Sequence, residues 1–376
     1  MTTPRTTRER SAWPGEEHYA GALAALPMQT HRRVRRLIML GPPSHTWHDV
    51  RRGARPLRGI DDSVWRAWMS PTVASPSQIG ERCAASGIDI VVLGDRRFPA
   101  ALVGDPAGPA VLFVRGDTSH LSRRRVGVVG TRTATAGARR FARELGRALA
   151  DHGVCVVSGL ARGIDVESHA GALAAESRGA AGPAAVVASG PDVVYPREHA
   201  GIWGDVCARG VLISEFAPGV QPEPHRFPLR NRILASLSEV LVVVESRRTG
   251  GSMTTVREAM KRDITVMAVP GSPSNHASEG TNELLRDGCA PVTGAEDVLM
   301  ALGLDTRRAG SWCDARTPPE GDEQNVMIAL SNGPRTIEEV AIASSLSVLR
   351  TAVLLGRLES KGWVAHAQGW WEALTR

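Results

Sequence analysis

The sequence contains no apolar run approaching the roughly 20 residues that a membrane-spanning helix requires. Its N-terminal segment has no apolar central region, so it does not have the pattern of a secretory signal peptide. The five cysteines are scattered, without a CxxC pair and without histidines at zinc-site spacing. We therefore expect a cytoplasmic protein with reduced thiols, no membrane insertion, and no bound metal or other cofactor.

Lysine is nearly absent: Lys261 and Lys361 are the only two, so arginine supplies almost all of the positive charge. The net charge is +6 for residues 1–75, +1 for residues 76–320 and −1 for residues 321–376. A polyanion site in the central region would therefore be a local patch rather than a basic face. The chain is long enough for two or three domains.

Familiar catalytic and nucleotide-binding motifs are also missing. The segment GVVGTR (127–132) does not have the GxGxxG pattern of a dinucleotide site, and there is no P-loop. No Ser–His–Asp set and no pair of carboxylates stands out. His169 could act as a base, but a histidine near a helix start more often has a structural role, which is the interpretation we adopt. None of these motifs therefore indicates a catalytic site.

The segment VVSGLARGIDVESHAGAL (156–173) reads as a strand, a glycine-containing loop and a helix that begins near Asp165. Gly159 and Gly163 would let the backbone turn sharply and approach a ligand. Arg162 could hold a phosphate by two parallel hydrogen bonds, and the following helix N-terminus would offer N–H groups to it. The same residues fit equally well an ordinary tight connection with a solvated arginine.

From residue 125 onward, apolar strands alternate with helices, which predicts an α/β fold with a mostly parallel sheet covered on both faces. Ligands of such sheets bind at the carboxyl ends of the strands. The predicted strands are 126–129, 154–157, 184–188, 211–214, 240–244 and 264–269, with two more upstream at 87–93 and 110–114. The predicted helices are 136–151, 165–176, 229–237, 252–261 and 281–286.

The composition predicts five segments along the chain. They are a disordered leader (1–20), a helical N-terminal region with a Pro/Ser-rich linker (21–78), an α/β core (79–302), a polar linker (303–322) and a winged-helix domain (323–376). The N-terminal region contains HRRVRRLIML (31–40), whose arginine-rich face we interpret as a solvated helix surface. In the last segment, three helical patterns precede two short strands.

The chain resembles the DNA-processing protein A family, also called DprA or Smf. Eight segments carry the resemblance in the family's order, and coverage is good from about residue 90 to 302. They are VGVVGTRTAT (126–135), VVSGLARGIDVESHAGAL (156–173), VYP (194–196), ISEFAPG (213–219), FPLRNRILASLS (227–238), VVVESRRTGGSMTT (242–255), VPGSP (269–273) and GTNELLRDGCAPV (280–292). The resemblance implies that the core (79–302) is an extended Rossmann-like domain that binds single-stranded DNA and passes it to the RecA-type recombinase in natural transformation and recombination. It implies a homodimer and a binding protein without catalytic residues, not an enzyme. It also raises single-strand-binding protein as a partner.

The resemblance further implies site residues. The family's Gly-Ser-Arg phosphate clip corresponds to Gly130, Thr131 and Arg132, where threonine keeps the hydroxyl donor. Additional cations near the strand ends would be Arg162 and the run Arg230, Asn231 and Arg232. On an extended segment Arg230 and Arg232 could both follow a DNA backbone, whereas on a helix only one could reach it.

Phe227 is a candidate platform for base stacking, or else packs over the sheet edge. Gly250, Gly251 and Ser252 open a helix whose N–H groups could receive a phosphate, or form a plain helix start.

An alternative function is a nucleotide phosphoribohydrolase-like enzyme on the same fold. Members of that group carry a PGGxGTxxE loop, to which TGGSMTTVRE (249–258) is similar. Here Met253 replaces the second-turn glycine and Arg257 occupies the glutamate position. Glu258 comes one residue late and would point about 100° away on a helix. These differences argue against the hydrolase.

A second alternative is a transcription regulator that reads duplex DNA through the winged helix. A recognition helix of that kind should carry cations toward the groove. The predicted helix 347–358 has only Arg350 and Arg357, and the domain has a net charge of −1. We therefore interpret the domain as a protein-contact module.

Overall fold

The computed structural model describes residues 15–304, 319–330, 333–367 and 369–374. The chain divides into two compact units, Met1–Leu304 and Asp305–Arg376, each of which is described by itself. Most of the predicted leader and of the predicted linker at 303–322 lies outside the described residues.

Five short helices form the N-terminal region and pack around buried side chains that include Leu23, Leu37 and Trp68. They are α1 (Glu17–Ala24), α2 (His31–Ile38), α3 (Pro43–Arg51), α4 (Asp62–Trp68) and α5 (Pro76–Ala85). Two expectations were wrong here, since α1 begins inside the predicted leader and α5 begins inside the predicted linker. Ser75 caps α5 in a reciprocal arrangement with Gln78, and Pro76 opens the helix. Serine, proline and glutamine at this spacing form a helix start rather than a linker.

A nine-stranded sheet forms the centre of the larger unit. Its strands are β1 (Asp89–Val92), β2 (Val111–Gly116), β3 (Arg125–Val129), β4 (Cys155–Ser158), β5 (Ala184–Val186), β6 (Val211–Ser214), β7 (Val240–Val243), β8 (Thr265–Ala268) and β9 (Ala290–Pro291). Their spatial order is β1-β2-β6-β5-β4-β3-β7-β8-β9. The pairs β1–β2 and β2–β6 are antiparallel and all others are parallel, so the predicted mostly parallel α/β sheet is confirmed.

Helices cover both faces of this sheet. They are α6 (Ala100–Val103), α7 (Ala136–Asp151), α8 (Ile164–Leu173), α9 (Ala200–Arg209), α10 (Arg226–Leu237), α11 (Ser252–Met260), α12 (Glu279–Arg286) and α13 (Ala295–Ala301). Because strand side chains alternate between faces, Val128 packs with α7 and α13, whereas Val129 packs with α10 and α11. Helix α9 was not predicted. Helix α10 begins at Arg226, before Pro228, because a proline in the first helical turn gives up no intrahelical hydrogen bond.

The strand order reverses direction at β3. The chain runs from β3 through β4 and β5 to β6 on one side, and then crosses over α10 to β7 on the other side. β3 and β7 are neighbours in the sheet, and the loops that leave their carboxyl ends therefore diverge from each other. In open α/β sheets such a switch point leaves a crevice where ligands bind.

The smaller unit contains three helices and a two-stranded antiparallel sheet around buried Val326, Val340 and Leu355. Its elements are α14 (Asp322–Ala329), α15 (Ile337–Ser344), α16 (Val348–Ser360), β10 (Val364–Ala367) and β11 (Trp370–Ala373). The order of three helices and a hairpin is the one expected from the sequence, and the winged-helix assignment stays a prediction. No single helix in the described part of the chain could cross a membrane; α15 and α16 meet the length and composition only as a pair, across a bend of 104°.

Candidate functional site

A cleft of about 560 Å³ opens at the switch point, between the loops after β3 and β7 and the start of α10. It brings together most of the residues that the sequence analysis selected. These are Gly130, Thr131, Arg132, Phe227, Arg230, Asn231, Gly250, Gly251 and Ser252. Gly159 and Arg162 line a smaller adjoining pocket of about 40 Å³, while Gly163 and Arg232 line neither.

The loop after β3 is fixed to the loop after β7 by Glu245. The N–H of Thr131 donates to the Glu245 backbone oxygen at 2.7 Å. The buried Glu245 carboxylate accepts from the N–H of Thr135 at 2.8 Å and from its hydroxyl at 3.0 Å. Because the Thr131 N–H is already used, this loop can offer a ligand the Thr131 hydroxyl and the side chain of Arg132.

Arg132 and Phe227 form a cation–aromatic surface on the cleft wall. The Arg132 guanidinium carbon lies 5.1 Å from the centroid of the Phe227 ring, and the Tyr195 ring lies 5.6 Å from it on another side. Phe227 is half-buried, Arg132 is exposed, and the Arg132 guanidinium makes no ion pair with any described residue. A flat apolar ring beside an uncommitted positive charge suits a ligand that is both aromatic and anionic.

The two glycines after β4, Gly159 and Gly163, let other parts of the protein approach the loop closely. A methyl group on Gly159 would overlap the Arg230 guanidinium, and one on Gly163 would overlap the Thr131 carbonyl oxygen. Gly163 also has a φ of 77°, in the region that favours glycine. Both residues therefore admit groups of the protein itself. The sharp turn expected at Gly163 is confirmed by its φ, and the approach of a ligand to these two glycines stays a prediction.

Arg162 lies in the same loop but is already paired. Its Nε donates to a Glu198 carboxylate oxygen at 2.5 Å, and both side chains are exposed. This hydrogen bond lowers the pKa of the Glu198 carboxyl. A phosphate in the adjoining pocket would have to compete with Glu198 for the guanidinium of Arg162.

Arg230 forms part of the cleft floor. It is only 5% exposed and donates to the backbone oxygen of Val186, and the buried carboxyl of Asp165 lies nearby. Burial raises the pKa of Asp165, and the charge of Arg230 acts in the opposite direction. Asp165 also accepts a hydrogen bond from the N–H of Gly159 at 3.2 Å. Arg230 is therefore a structural cation whose field reaches the cleft.

Arg232 does not belong to the cleft. It is also 5% exposed, donates to the backbone oxygen of Ala107 and forms a buried ion pair with Glu215. Residues two positions apart on a helix point about 200° away from each other, so α10 directs Arg230 and Arg232 to opposite sides. The expectation that Arg232 is a phosphate-binding cation of this site is corrected accordingly.

The first turn of α11 closes the cleft opposite Phe227. No side chain caps this helix at Gly251, and the hydroxyl of Ser252 is paired with that of Ser246 at 2.7 Å. The positive end of the helix dipole therefore faces the cleft without a carboxylate to neutralise it. Asn231 donates to the hydroxyl of Thr254 at 2.6 Å, which ties α10 to α11.

Two cleft residues were missed in the selection from sequence, Arg247 and Tyr195. Arg247 is exposed and its side chain makes no ion pair with another residue that the structure describes. Its position in the loop after β7, beside the loop that follows β3, was a usable signal. Tyr195 lies in the VYP segment and is 42% exposed. No sequence pattern indicated that its ring would stand beside Phe227.

Comparison with known proteins identifies relatives of this chain. A sequence model of the family described as DNA recombination-mediator protein A matches residues 89–303. The putative DNA processing protein DprA of Mycobacterium tuberculosis is 34% identical over 331 residues, which cover 86% of this chain and 78% of that protein. The DNA processing protein DprA of Bacillus subtilis is 35% identical over 217 residues, 57% of this chain and 72% of the relative.

Solved structures give the same result. DNA processing protein A of Streptococcus pneumoniae superposes with a TM-score of 0.64 and 25% identity, over 76% of this chain and 97% of that one. A structure of DNA processing protein A from Helicobacter pylori is described for its single-stranded DNA binding mode. It superposes with a TM-score of 0.51 and 26% identity, over 58% of this chain and 96% of that one.

Proposed function

The chain belongs to the DNA recombination-mediator protein A family, and on that premise we propose that its cleft binds single-stranded DNA without sequence preference. The Helicobacter pylori relative, whose structure is described for its binding of single-stranded DNA, supports this ligand. Binding of this kind needs positive charge that follows the backbone and an aromatic surface that accepts any base.

One observation carries the proposal: Arg132 lies against Phe227 at 5.1 Å while its guanidinium has no carboxylate partner among the described residues. An arginine that the fold needed for stability would be paired or buried, as Arg230 and Arg232 are. We propose that Arg132 and Arg247 contact phosphates, that Phe227 stacks on a base, and that the α11 N-terminus receives a further phosphate.

We further propose that the protein is not an enzyme. In the hydrolase alternative a carboxylate from the 249–258 loop would have to reach the ligand. Arg257 is exposed outside the cleft lining, and Glu258 is held by Arg262 and Lys261 at 2.8 and 2.7 Å. An assay for base release from nucleoside monophosphates tests this directly, and turnover by the wild-type chain would overturn the proposal.

The family membership also supports a wider role. We propose that the protein is a cytoplasmic homodimer that passes single-stranded DNA to the RecA-type recombinase, with single-strand-binding protein as a further partner, in natural transformation and recombination. The smaller unit would act as a protein-contact module, because its net charge of −1 opposes DNA binding.

The experiment compares fluorescence anisotropy of single-stranded and duplex oligonucleotides with the wild type, Arg132→Ala and Arg139→Ala. Arg139 is an exposed arginine on α7 outside the cleft, so it matches the charge change. We expect wild type and Arg139→Ala to prefer the single strand equally, and Arg132→Ala to bind it more weakly for every sequence. Equal affinities of the two variants would contradict the proposed site.

The mediator role needs its own test. Recombinase filament formation on strands coated with single-strand-binding protein should fall in Arg132→Ala in proportion to its lost DNA affinity. Normal filament formation by a variant that binds DNA poorly would separate the cleft from the mediator role.

A further inference from the structure

A second groove, of about 880 Å³, runs along the side of α10 that faces away from the cleft. Pro228, at the start of α10, lines both the cleft and this groove. Leu229, Arg232, Ser236 and Ser238 then line the groove along the helix. Ten residues of helix correspond to about 15 Å, so the groove continues from the cleft for that distance.

The N-terminus of α2 supplies the other wall and carries uncompensated positive charge. Arg32 lines the groove, is exposed, and has no ion pair among the described residues. Arg33, Arg35 and Arg36 on the same helix donate to backbone oxygens, including those of Met28 at 2.6 Å and Val103 at 3.2 Å. Carbonyl oxygens hold these side chains in place but leave their charges unneutralised.

Acidic residues in the groove do not cancel this charge. Asp105 is bound by Arg262 at 2.8 Å, and Glu258 is bound by Arg262 and Lys261. The pairing of these carboxylates leaves Arg32 as the uncommitted cation of the groove within the described part of the chain.

Two buried polar atoms at the groove lack hydrogen-bond partners among the described residues: Nε of Arg232 and Nε2 of His31. Arg232 is only 5% exposed, so this donor is withdrawn from bulk water. Burial, together with the charges of Arg232 and Arg32, lowers the pKa of His31 to about 4, so the ring is neutral at pH 7. Buried polar atoms are almost always satisfied, by protein groups or by water, so these two atoms favour a polar occupant of the groove over an apolar one.

We propose that this groove is a second phosphate-binding segment, in which the DNA strand that leaves the cleft past Pro228 places a phosphodiester beside Arg32. The inference rests on the proposed function of the cleft and extends it. It gives the arginine-rich start of α2 a role in DNA binding rather than that of a plain solvated surface.

The test measures affinity and its salt dependence for oligothymidylates of about 6 and about 20 nucleotides, the shorter one matched to the cleft alone. Arg32→Ala is compared with Arg82→Ala, an exposed arginine on α5 outside both cavities, and with Arg132→Ala. We expect Arg32→Ala to bind the longer strand about three to ten times more weakly, to lower its salt slope by about 0.7, and to bind the shorter strand normally.

Arg132→Ala should weaken both lengths and Arg82→Ala neither. Unchanged binding of the longer strand by Arg32→Ala, or equal losses of affinity for both strand lengths, would overturn the inference. The effect of Arg132→Ala tests the cleft independently of the groove. A thermal shift with inorganic phosphate distinguishes a site for free anions. If phosphate stabilises the wild type but not Arg32→Ala, and the longer strand binds both equally, the groove does not carry DNA.

Discussion

Two pairs of arginines near the cleft differ in exposure and in their partners. They are the loop arginines, Arg132 and Arg247, and the helix arginines, Arg230 and Arg232. The loop arginines are exposed and make no ion pair with any residue the structure describes. The helix arginines are each 5% exposed and donate to backbone or carboxylate oxygens of the protein itself. Residue type alone therefore does not identify a phosphate ligand. Burial and existing partners decide which arginine is available.

The largest expected effect separates the two groups by stability. Glu215→Ala leaves Arg232 buried without its partner, and such losses destabilise a protein by about 3–5 kcal/mol. Arg132→Ala removes an exposed side chain and should change the free energy of unfolding by less than about 0.5 kcal/mol. Urea denaturation at neutral pH measures both. Equal stabilities would mean that the helix arginines are no more committed to the fold than the loop arginines.

The interior beneath the helix arginines should also respond to acid. His169 is completely buried, and burial, with Arg230 acting in the same direction, lowers its pKa to about 3. A folded-state pKa below the unfolded value of 6.5 means that the unfolded chain takes up the proton first as the pH falls. The native state should therefore lose about 2.5 kcal/mol from this group between pH 7 and pH 4.5.

His169→Leu removes the titrating group and puts an apolar side chain of similar size in its place. Its free energy of unfolding should fall less steeply than that of the wild type over this pH range, by about that amount. Parallel pH profiles would show that the imidazole is not held neutral by the interior.

Phe227 sharpens the comparison because it belongs to α10 but faces the loop arginines. Phe227→Ala should weaken single-strand binding by about 1–3 kcal/mol per stacked base, without changing the salt slope, since no charge is lost. Stability should fall only modestly, because the ring is half-buried. An unfolded variant would identify Phe227 as a core residue and remove the stacking proposal.

The sheet and the cleft were largely predictable from the sequence. Apolar strands such as 240–244, each followed by a helix, indicate a parallel sheet whatever the distant contacts are, and the carboxyl edge follows from that. The Pro/Ser-rich composition of residues 70–78 predicts a linker, whereas the capping signature of Ser75, Pro76 and Gln78 within it starts α5.

The burial and the partners of the helix arginines were not predictable in the same way. The face that Arg232 occupies depends on α10 starting at Arg226, and its partner Glu215 lies before the helix in another loop. Likewise, the need for a glycine at position 159 arises from Arg230, which approaches it from a helix some 70 residues later in the chain. Both facts arise from tertiary packing, for which a single sequence carries no local signal.

The most direct test of the central claim is the salt dependence of single-strand affinity for the double variant Arg132→Ala/Arg247→Ala. Each phosphate contact on a single strand contributes about 0.7 to the slope of log affinity against log salt. Loss of both loop arginines should therefore lower the slope by about 1.4, with the fold unchanged by circular dichroism. A slope equal to that of the wild type would show that neither loop arginine contacts phosphate, and would contradict the assignment of this cleft to DNA.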